Sequence, residues 1–267
     1  MKEIGLEELK KLQLEILLAV HDFCKANEIE YSLAAGTLIG AVRHKGYIPW
    51  DDDVDICMTR PNYDKFLRTF NGSQQNYHVL APELNWDFYA PYANVCDNRT
   101  LLVENGLSHR SVEVGVKIDI FPIDGCSDNR FEFFVQCQKL MKLNAIMFYK
   151  RCQPKLSFSL LYFKTFLHKV SVAFRNYSSL QKEIHAEATK YDYSKSEFAA
   201  LMVFEPIAFK PPRQIFDEYI DIEFEGYLLR TIKEYDLFLR LRYGDYLKLP
   251  PKELQVPHHG FTAYWKD

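Results

Sequence analysis

The sequence predicts an α/β fold. Apolar residues recur at helical spacing over residues 6–27, with lysines and glutamates on the other side, so an amphipathic helix is expected there. Residues 53–58 alternate polar and apolar side chains, which is the period of a strand. Residues 112–121, VEVGVKIDIF, also have strong strand character. Helical and strand patterns in one chain together favour the α/β class.

The totals limit the class of protein. At 267 residues and 31.4 kDa, the chain can form one large domain or two small ones. Hydrophobic residues make up 48% of it, which is ample for a core and excludes a disordered chain. The net charge of −3 and the pI near 6.3 argue against a general nucleic-acid binder. No nucleic-acid partner is therefore expected.

The cysteines and the N-terminus indicate a compartment. The six cysteines show neither a CxxC pair nor zinc-ligand spacing, so we expect buried free thiols in a reducing environment. The first residues, MKEIGLEELKKLQ, are too charged for a secretory signal. No stretch approaches the roughly 18 uncharged apolar residues of a membrane span. We expect a cytoplasmic protein, with peripheral contact at the inner face of the membrane as a further expectation.

Residues 31–57, YSLAAGTLIGAVRHKGYIPWDDDVDIC, form the stretch on which the functional interpretation depends. Four carboxylates within residues 51–55 repel one another, so their convergence would need a compensating partner. A solvated acidic loop is one interpretation. A calcium-binding loop is excluded because it needs glycine at its sixth position and glutamate at its twelfth, where this chain has Ile56 and Asn62.

The alternation that follows the acidic run favours a metal site instead. On a strand, Asp53 and Asp55 would project from the same face, roughly 6 to 7 Å apart. Two carboxylates at that spacing can share divalent cations, and Mg²⁺ favours one or two carboxylates with water and phosphate oxygens. Mn²⁺ is the alternative ion. Asp51 is expected to reach the metal, whereas Asp52 is expected to point to the opposite face.

Five residues around the acidic run are candidates for binding a phosphorylated ligand. Gly36 and Thr37 stand at a strand-to-helix junction and provide either ordinary turn and cap chemistry or a cradle for nucleotide phosphates. The cradle is favoured because the acidic run follows one strand later. Arg43 and Lys45 form either a solvated basic turn or a phosphate contact, for which the forked guanidinium of Arg43 is better suited. Trp50 either stacks on a base or sugar or closes the core.

These features resemble a known family. A Gly-Thr turn, a short helix and Asp-x-Asp on a strand resemble the nucleotidyltransferase superfold. The string GTLIGAVRHKGYIPWDDDVDI at 36–56 closely resembles the signature of the LicD family, which includes bacterial phosphocholine transferases and is related to the fukutin-related ribitol-phosphate transferases. Blocks at 113–125 and 222–260, the second containing IEFEGYLLRTIKEYDLFLRLRYGDYLKLPP and VPHHG, extend the resemblance over nearly the whole chain.

The resemblance implies an enzyme with a nucleotidyltransferase-like core, a mixed sheet with flanking helices, elaborated by a helical region. Its expected reaction is the transfer of phosphocholine, or another alcohol phosphate, from CDP-choline or a related CDP-linked donor to a sugar hydroxyl, with release of CMP. The acceptor would be a cell-surface glycan, such as lipopolysaccharide or teichoic acid, or its lipid-linked precursor. Two alternatives stay open: a nucleotidyltransferase that attacks the α-phosphate of a nucleoside triphosphate, and a non-catalytic module that binds a CDP-linked donor.

The resemblance also implies roles for particular residues. Asp53 and Asp55 would hold two Mg²⁺ ions that bridge the diphosphate of the donor. Asp119, an aspartate between two isoleucines, would supply the third carboxylate as a ligand or base. The alternative for Asp119 is a structural hydrogen bond at a strand end. His258 would contact phosphate or the acceptor.

Two further expectations concern the end of the strand that carries the third carboxylate. Pro122 and residues 124–125 are expected to end it in a turn. Asp124 and Glu104 are secondary candidates for the site.

The chain is expected to form one domain over residues 1–267. A core at 1–125 would be followed by a helical variable region at 126–200 and by a C-terminal block at 201–267 that packs back on the core. Residues 130–175 contain nine lysines or arginines and a single acidic residue among many aromatic side chains. This segment either forms a helical lid on the core or rests on an anionic membrane surface near a lipid-linked acceptor.

Overall fold

The computed structural model describes residues 1–107, 112–152, 175–204, 209–257 and 260–267. Its described part combines helices with a mixed sheet, which confirms the predicted α/β class. His258 and the second half of the basic, aromatic segment, residues 153–174, lie outside the described residues. The division into a core, a helical region and a C-terminal block stays a prediction.

Eleven strands are present in the described part of the chain. They are β1 (Lys2–Ile4), β2 (Ser32–Leu33), β3 (Asp55–Thr59), β4 (Tyr77–Leu80), β5 (Ala93–Asp97), β6 (Thr100–Glu104), β7 (Lys117–Cys126), β8 (Phe198–Ala200), β9 (Tyr219–Phe224), β10 (Tyr227–Ile232) and β11 (Phe261–Trp265). The central sheet has the order β2–β3–β7–β5–β4, with β8 paired to the end of β7. β3 and β7 run parallel, and the other neighbours in this sheet run antiparallel.

Six helices flank these strands in the described residues. They are α1 (Leu6–Ala26), α2 (Ala35–His44), α3 (Arg60–Thr69), α4 (Arg130–Arg151), α5 (Tyr177–Ala188) and α6 (Tyr235–Tyr243). α1 confirms the predicted amphipathic helix, because Ile16, Leu17 and Val20 are fully buried in the main apolar core. The Asn129 side chain begins α4 by accepting hydrogen bonds from two backbone N–H groups of its first turn.

β7 begins five residues after the start of the strand predicted at 112–121 and ends five residues beyond its end, because the chain passes through Pro122 without turning. Pro122 pairs in register with Met58 of β3, and Gly125 pairs with Ala199 of β8. The expected turn at Pro122 and residues 124–125 is therefore wrong. Pairing between β5 and β7 reaches only Ile120, so the missing N–H of the proline interrupts no ladder on that side.

The C-terminal block forms a hairpin, a helix and a strand that joins both ends of the chain. β9 and β10 pair antiparallel across a turn in which Glu225 has φ 51° and Gly226 has φ 81°. Gly244, at φ 68°, ends α6 as predicted, in a backbone region that glycine enters without a Cβ clash. β11 lies between β1 and β6 in a separate antiparallel sheet.

The cysteines are free thiols, as expected. Five are buried and Cys152 is half-buried. None of the helices in the described parts of the chain is both long and apolar enough to cross a bilayer.

Candidate functional site

Two aspartates meet across the parallel pair of strands. Asp55 begins β3 and Asp119 lies in β7, and the two are partners in the register of that pair. Partners on adjacent strands project to the same face of the sheet, so their carboxylates are neighbours. Both side chains belong to residues that are less than one-tenth exposed, 5% for Asp55 and 8% for Asp119. The structure thus brings these two predicted aspartates together, and their roles stay a prediction.

The Asp119 carboxylate is held by polar side chains of β5 and β7. Asn94 donates from Nδ2 to Asp119 Oδ1 at 2.6 Å, and the Lys117 ammonium pairs with the same oxygen. The Tyr89 hydroxyl donates to Asn94 Oδ1 at 3.2 Å, which fixes the orientation of that amide. Burial lowers the pKa of Lys117, but the surrounding negative groups, the Asp119 carboxylate foremost, together leave that pKa raised. Lys117 is therefore a half-buried cation beside the predicted third carboxylate.

Three further carboxylates gather in the turn before β3. Asp51, Asp52 and Asp53 each have an oxygen within 4.8 Å of the other two, which is close enough to share one metal ion. Gln13 of α1 donates from Nε2 to the Asp52 carbonyl oxygen at 3.0 Å and anchors this turn. The expectation that Asp52 points away is wrong. The regular strand begins only at Asp55, so strict alternation does not govern the side chains before it.

One small cavity connects this turn of residues 51–53, which we call the acidic turn, to β7. Asp52, Asp53 and Asp119 line it, together with the cationic side chains of Lys117 and Arg151. Carboxylate oxygens bind hard cations such as Mg²⁺, and ammonium and guanidinium groups bind phosphate oxygens. The cavity therefore has the chemistry to hold a divalent ion beside a phosphorylated ligand.

The electrostatics of Asp55 show how strongly these groups interact. Burial raises its pKa, and the nearby carboxylates of Asp53 and Asp119 raise it further, so the pKa lies well above its usual value. The Lys117 ammonium acts in the opposite direction but does not offset them. A bound cation favours the charged carboxylate and would reverse this balance.

Gly36 and Thr37 were predicted to form the junction before the helix. They lie inside its first turn, because α2 already begins at Ala35. Thr37 Oγ1 accepts a hydrogen bond from the Asp55 backbone N–H at 2.9 Å, which ties the helix to the start of β3. Gly36 faces the Asp51 carboxylate so closely that an added Cβ would lie 2.4 Å from its Oδ2. Ala35, at φ 44°, begins the helix in a strained conformation for a non-glycine residue. These contacts position the acidic turn against α2.

The other predicted ligand-binding residues lie outside the wall of this cavity. Arg43 donates from Nη1 to the carbonyl oxygen of Tyr246 at 3.0 Å, in the segment that follows α6. Lys45 is exposed and ends α2 at φ 60°. Trp50 is half-buried in the turn that leads to the acidic run. Their roles in binding phosphate or base stay predictions.

Three polar residues of the cavity were missed or given little weight from the sequence. Lys117 could have been found, because it precedes Asp119 by two residues and so shares its face of the strand. Arg151 gave no signal, since it comes from the end of α4, where its guanidinium pairs with Glu104 and lies 4.0 Å from the centroid of the Tyr89 ring. Glu104, a secondary candidate, does line the cavity.

Asp124, the other secondary candidate, has a different position. Its two carboxylate oxygens accept hydrogen bonds from Arg60, from Nε at 2.6 Å and from Nη2 at 2.9 Å. Asp124 is 1% exposed, so this is a buried, bidentate ion pair at the start of α3. Its partners indicate a structural role.

Comparisons with known proteins identify a family. A sequence profile described as LicD/FKTN/FKRP, nucleotidyltransferase domain, matches residues 28–151, which include the acidic turn, β3 and β7. The chain is 31% identical over 274 residues to the lipopolysaccharide cholinephosphotransferase LicD of Haemophilus influenzae, and the alignment covers 99% of each chain. Over 56 residues it is 45% identical to an uncharacterized protein of Rickettsia typhi, covering 21% of this chain and 18% of that one. An uncharacterized protein of Rickettsia prowazekii is 43% identical to this chain over 56 residues, covering 21% of each chain.

Proposed function

The chain belongs to the LicD family, and on this premise we propose that it transfers phosphocholine to a sugar hydroxyl of lipopolysaccharide. The donor would be CDP-choline or a related CDP-linked alcohol, and the second product would be CMP. The observation that carries this proposal is the alignment with a lipopolysaccharide cholinephosphotransferase over 99% of both chains. The cavity supports it, because carboxylates stand there beside two cationic side chains.

We propose Mg²⁺ as the cofactor, with Mn²⁺ as its substitute. The acidic turn and the pair on β3 and β7 offer only carboxylate oxygens, which suit a hard cation better than a soft one. Asp53 and Asp55 would be the main ligands, with Asp51 and Asp119 completing the set. When bound, the ion would neutralise charge on the donor diphosphate and on the departing CMP, and would lower the pKa of the attacking hydroxyl.

The side chains of this protein would then orient the reactants and move one proton. The acceptor hydroxyl oxygen attacks the phosphorus that carries choline, and the bond from that phosphorus to the CMP oxygen breaks. Asp119 would take the proton of the hydroxyl. Lys117 and Arg151 would contact phosphate oxygens that do not bridge the two phosphorus atoms. Phosphoryl transfer depends mainly on such positioning and charge neutralisation.

We retain the other predicted residues as ligands of the donor. Thr37 accepts one hydrogen bond from the backbone of β3, and its own O–H can still donate to a phosphate oxygen. Gly36 lies one residue earlier, in the first turn of α2, where backbone N–H groups favour anions. Arg43, Lys45 and Trp50 would bind more remote parts of the donor, and His258 would contact phosphate or the acceptor.

A screen of donors tests the proposal. The chain is incubated with Mg²⁺, lipopolysaccharide and each of several CDP-linked alcohols, and CMP and modified glycan are measured by mass spectrometry. We expect equal amounts of CMP and phosphocholine-bearing glycan from CDP-choline, and none after metal is removed with EDTA. Production of CMP from none of the donors would contradict the proposal.

A second reaction is favoured by the description of the matching family profile, which names a nucleotidyltransferase domain. Such an enzyme would attack the α-phosphate of a nucleoside triphosphate and release pyrophosphate. Incubation with CTP or ATP and a pyrophosphate assay separates the two reactions, because phosphocholine transfer yields CMP and no pyrophosphate. A non-catalytic module would instead bind CDP-choline in calorimetry without releasing CMP in the presence of an acceptor.

The acceptor class suggests where the enzyme works. A glycan that is still attached to its lipid carrier lies at a membrane surface. We therefore propose that the protein acts in the cytoplasm, in peripheral contact with the inner face of the membrane.

A further inference from the structure

Helix α4 has apolar side chains on two opposite faces. One face is buried against α5 through Phe133, Cys137 and Leu140. The other face is exposed to solvent and carries five large apolar side chains, Phe131, Phe134, Val135, Met141 and Phe148. Phe131 is 74% exposed. A surface helix of a globular protein is normally polar on its outer face, so this arrangement calls for a covering surface.

We call these five side chains the α4 strip, which also includes the exposed polar residues Gln138 and Lys142 between them. At 100° per residue, their positions fall on one side of the helix, opposite the buried face. From the first to the last of them the strip runs roughly 25 Å at 1.5 Å per residue. Apolar area of this shape lies flat on a surface and does not fit a small pocket.

The charge of α4 indicates which surface it meets. The helix contains five basic residues, Arg130, Lys139, Lys142, Lys150 and Arg151, and one acidic residue, Glu132. Lys139 and Arg151 form ion pairs with Glu187 and Glu104, so the charge available to an outside surface does not come from these two. The whole chain has a net charge of −3, so this basic character is local. A second copy of the same face would bring like charges together, which disfavours self-association through it. An anionic lipid surface offers the complementary charge and accepts apolar side chains at its headgroup boundary.

The strip also ends at the candidate site. Arg151, the last residue of α4, lines the cavity that contains Asp53 and Asp119. Phe148, three residues earlier, is exposed in the strip. A surface that covers the strip therefore comes close to the cavity.

We propose that the α4 strip docks the protein on an anionic bilayer, with the helix in the plane of the headgroups and the C-terminal end of α4 bringing the cavity to the surface. This orientation would present the site to a glycan whose lipid carrier remains in the bilayer, a step that rests on the proposed function. Docking itself depends only on the strip and on the charge of the helix. The two claims can therefore fail separately.

Vesicle sedimentation tests the docking. Full-length protein is mixed with vesicles of phosphatidylcholine alone or of phosphatidylcholine with phosphatidylglycerol, and the bound fraction is measured at low and high salt. We expect binding to the anionic vesicles that weakens with salt, and a loss of about tenfold or more in the partition coefficient for Phe131→Ser/Phe134→Ser. Lys142→Glu should also weaken binding.

A matched control changes two exposed leucines away from α4. Leu228 is 66% and Leu249 is 51% exposed, and Leu228→Ser/Leu249→Ser should bind vesicles as the wild type does. Circular dichroism and CMP release from CDP-choline with a delipidated glycan check that each variant is folded. Absence of wild-type binding, or equal binding by the phenylalanine variant, would overturn the proposal. So would a wild-type dimer that the phenylalanine variant abolishes without any vesicle binding. If the wild type releases no CMP, this result would refute the proposed function and leave the docking proposal intact.

Discussion

Asp55→Asn should make the metal-free protein more stable and the enzyme far less active. The substitution preserves the size of the side chain and the hydrogen bond from the Asp55 backbone N–H to Thr37, and it removes one negative charge. The Asp55 carboxyl is buried beside the carboxylates of Asp53 and Asp119. Burial raises the pKa of Asp55, and these two neighbouring carboxylates raise it further. Strongly perturbed carboxyl groups of this kind are typical of functional sites.

The size of the gain follows from the spacing of the strands. Paired residues on adjacent strands place their charges about 5 Å apart, and two unit charges at that distance repel by about 3 kcal/mol at an effective dielectric constant of about 20. The Lys117 ammonium and the Asn94 amide on Asp119 offset part of this repulsion. We therefore expect the variant to gain about 1 to 2 kcal/mol in free energy of unfolding, or about 2 to 6 °C in Tm.

The pH dependence of that gain gives a second test. The pKa of Asp55 is raised in the folded chain, so folding favours its protonated form. That contribution to wild-type stability is fully present below the usual carboxyl pKa and is lost as the pH rises above it. Asparagine does not titrate. The stability difference should therefore be small near about pH 4 and should grow toward about pH 8.

Urea denaturation with EDTA at several pH values measures the stability, and CMP release with saturating Mg²⁺ measures the activity. We expect turnover to fall by about 10² to 10⁴, which corresponds to about 3 to 5 kcal/mol of lost transition-state stabilisation. Asp87→Asn, in an exposed loop, is the matched control and should change neither quantity. A variant at position 55 that is less stable than the wild type in EDTA and keeps its turnover would refute the reasoning.

Three other substitutions separate positioning from structure. Thr37→Val leaves the N–H that begins β3 without its 2.9 Å acceptor, so urea denaturation should show a loss of about 1 to 3 kcal/mol, and Thr37→Ser should restore it. Gly36→Ala brings a Cβ to 2.4 Å from Asp51 Oδ2 and should weaken Mg²⁺ activation about tenfold in a metal titration of CMP release, a result that unchanged activation would contradict. Asp124→Asn breaks the buried pair with Arg60 and should lower the free energy of unfolding by about 3 to 5 kcal/mol. The Mg²⁺ affinity should not change, and a marked loss of that affinity would instead assign Asp124 to the site.

Local patterns predicted the elements that depend on neighbouring residues. The apolar spacing of α1, the strand at β3 and the glycine that ends α6 each follow from a few consecutive side chains. The meeting of Asp55 with Asp119 was foreseen only through the family resemblance, because 64 residues separate them in the chain. Spacing alone does not show which strands are adjacent.

The expectations that failed depended on distant partners. Pro122 continues its strand because β5 has already ended and β8 begins to pair further along β7, neither of which is visible near the proline. Asp52 joins the acidic group because the turn before β3 is irregular and is held by Gln13 of α1. Arg151 reaches the cavity from the end of a 22-residue helix, and no motif marks it.

The central claim is that Asp53, Asp55 and Asp119 together bind a divalent ion with the donor. Titration with Mn²⁺, monitored by electron paramagnetic resonance with and without CDP-choline, tests it most directly, because the free ion is observed independently of turnover. We predict that the wild type and Asp87→Asn bind Mn²⁺ more tightly when CDP-choline is present, and that Asp55→Asn and Asp119→Asn lose most of this binding. Equal Mn²⁺ affinity in all four proteins would contradict the account.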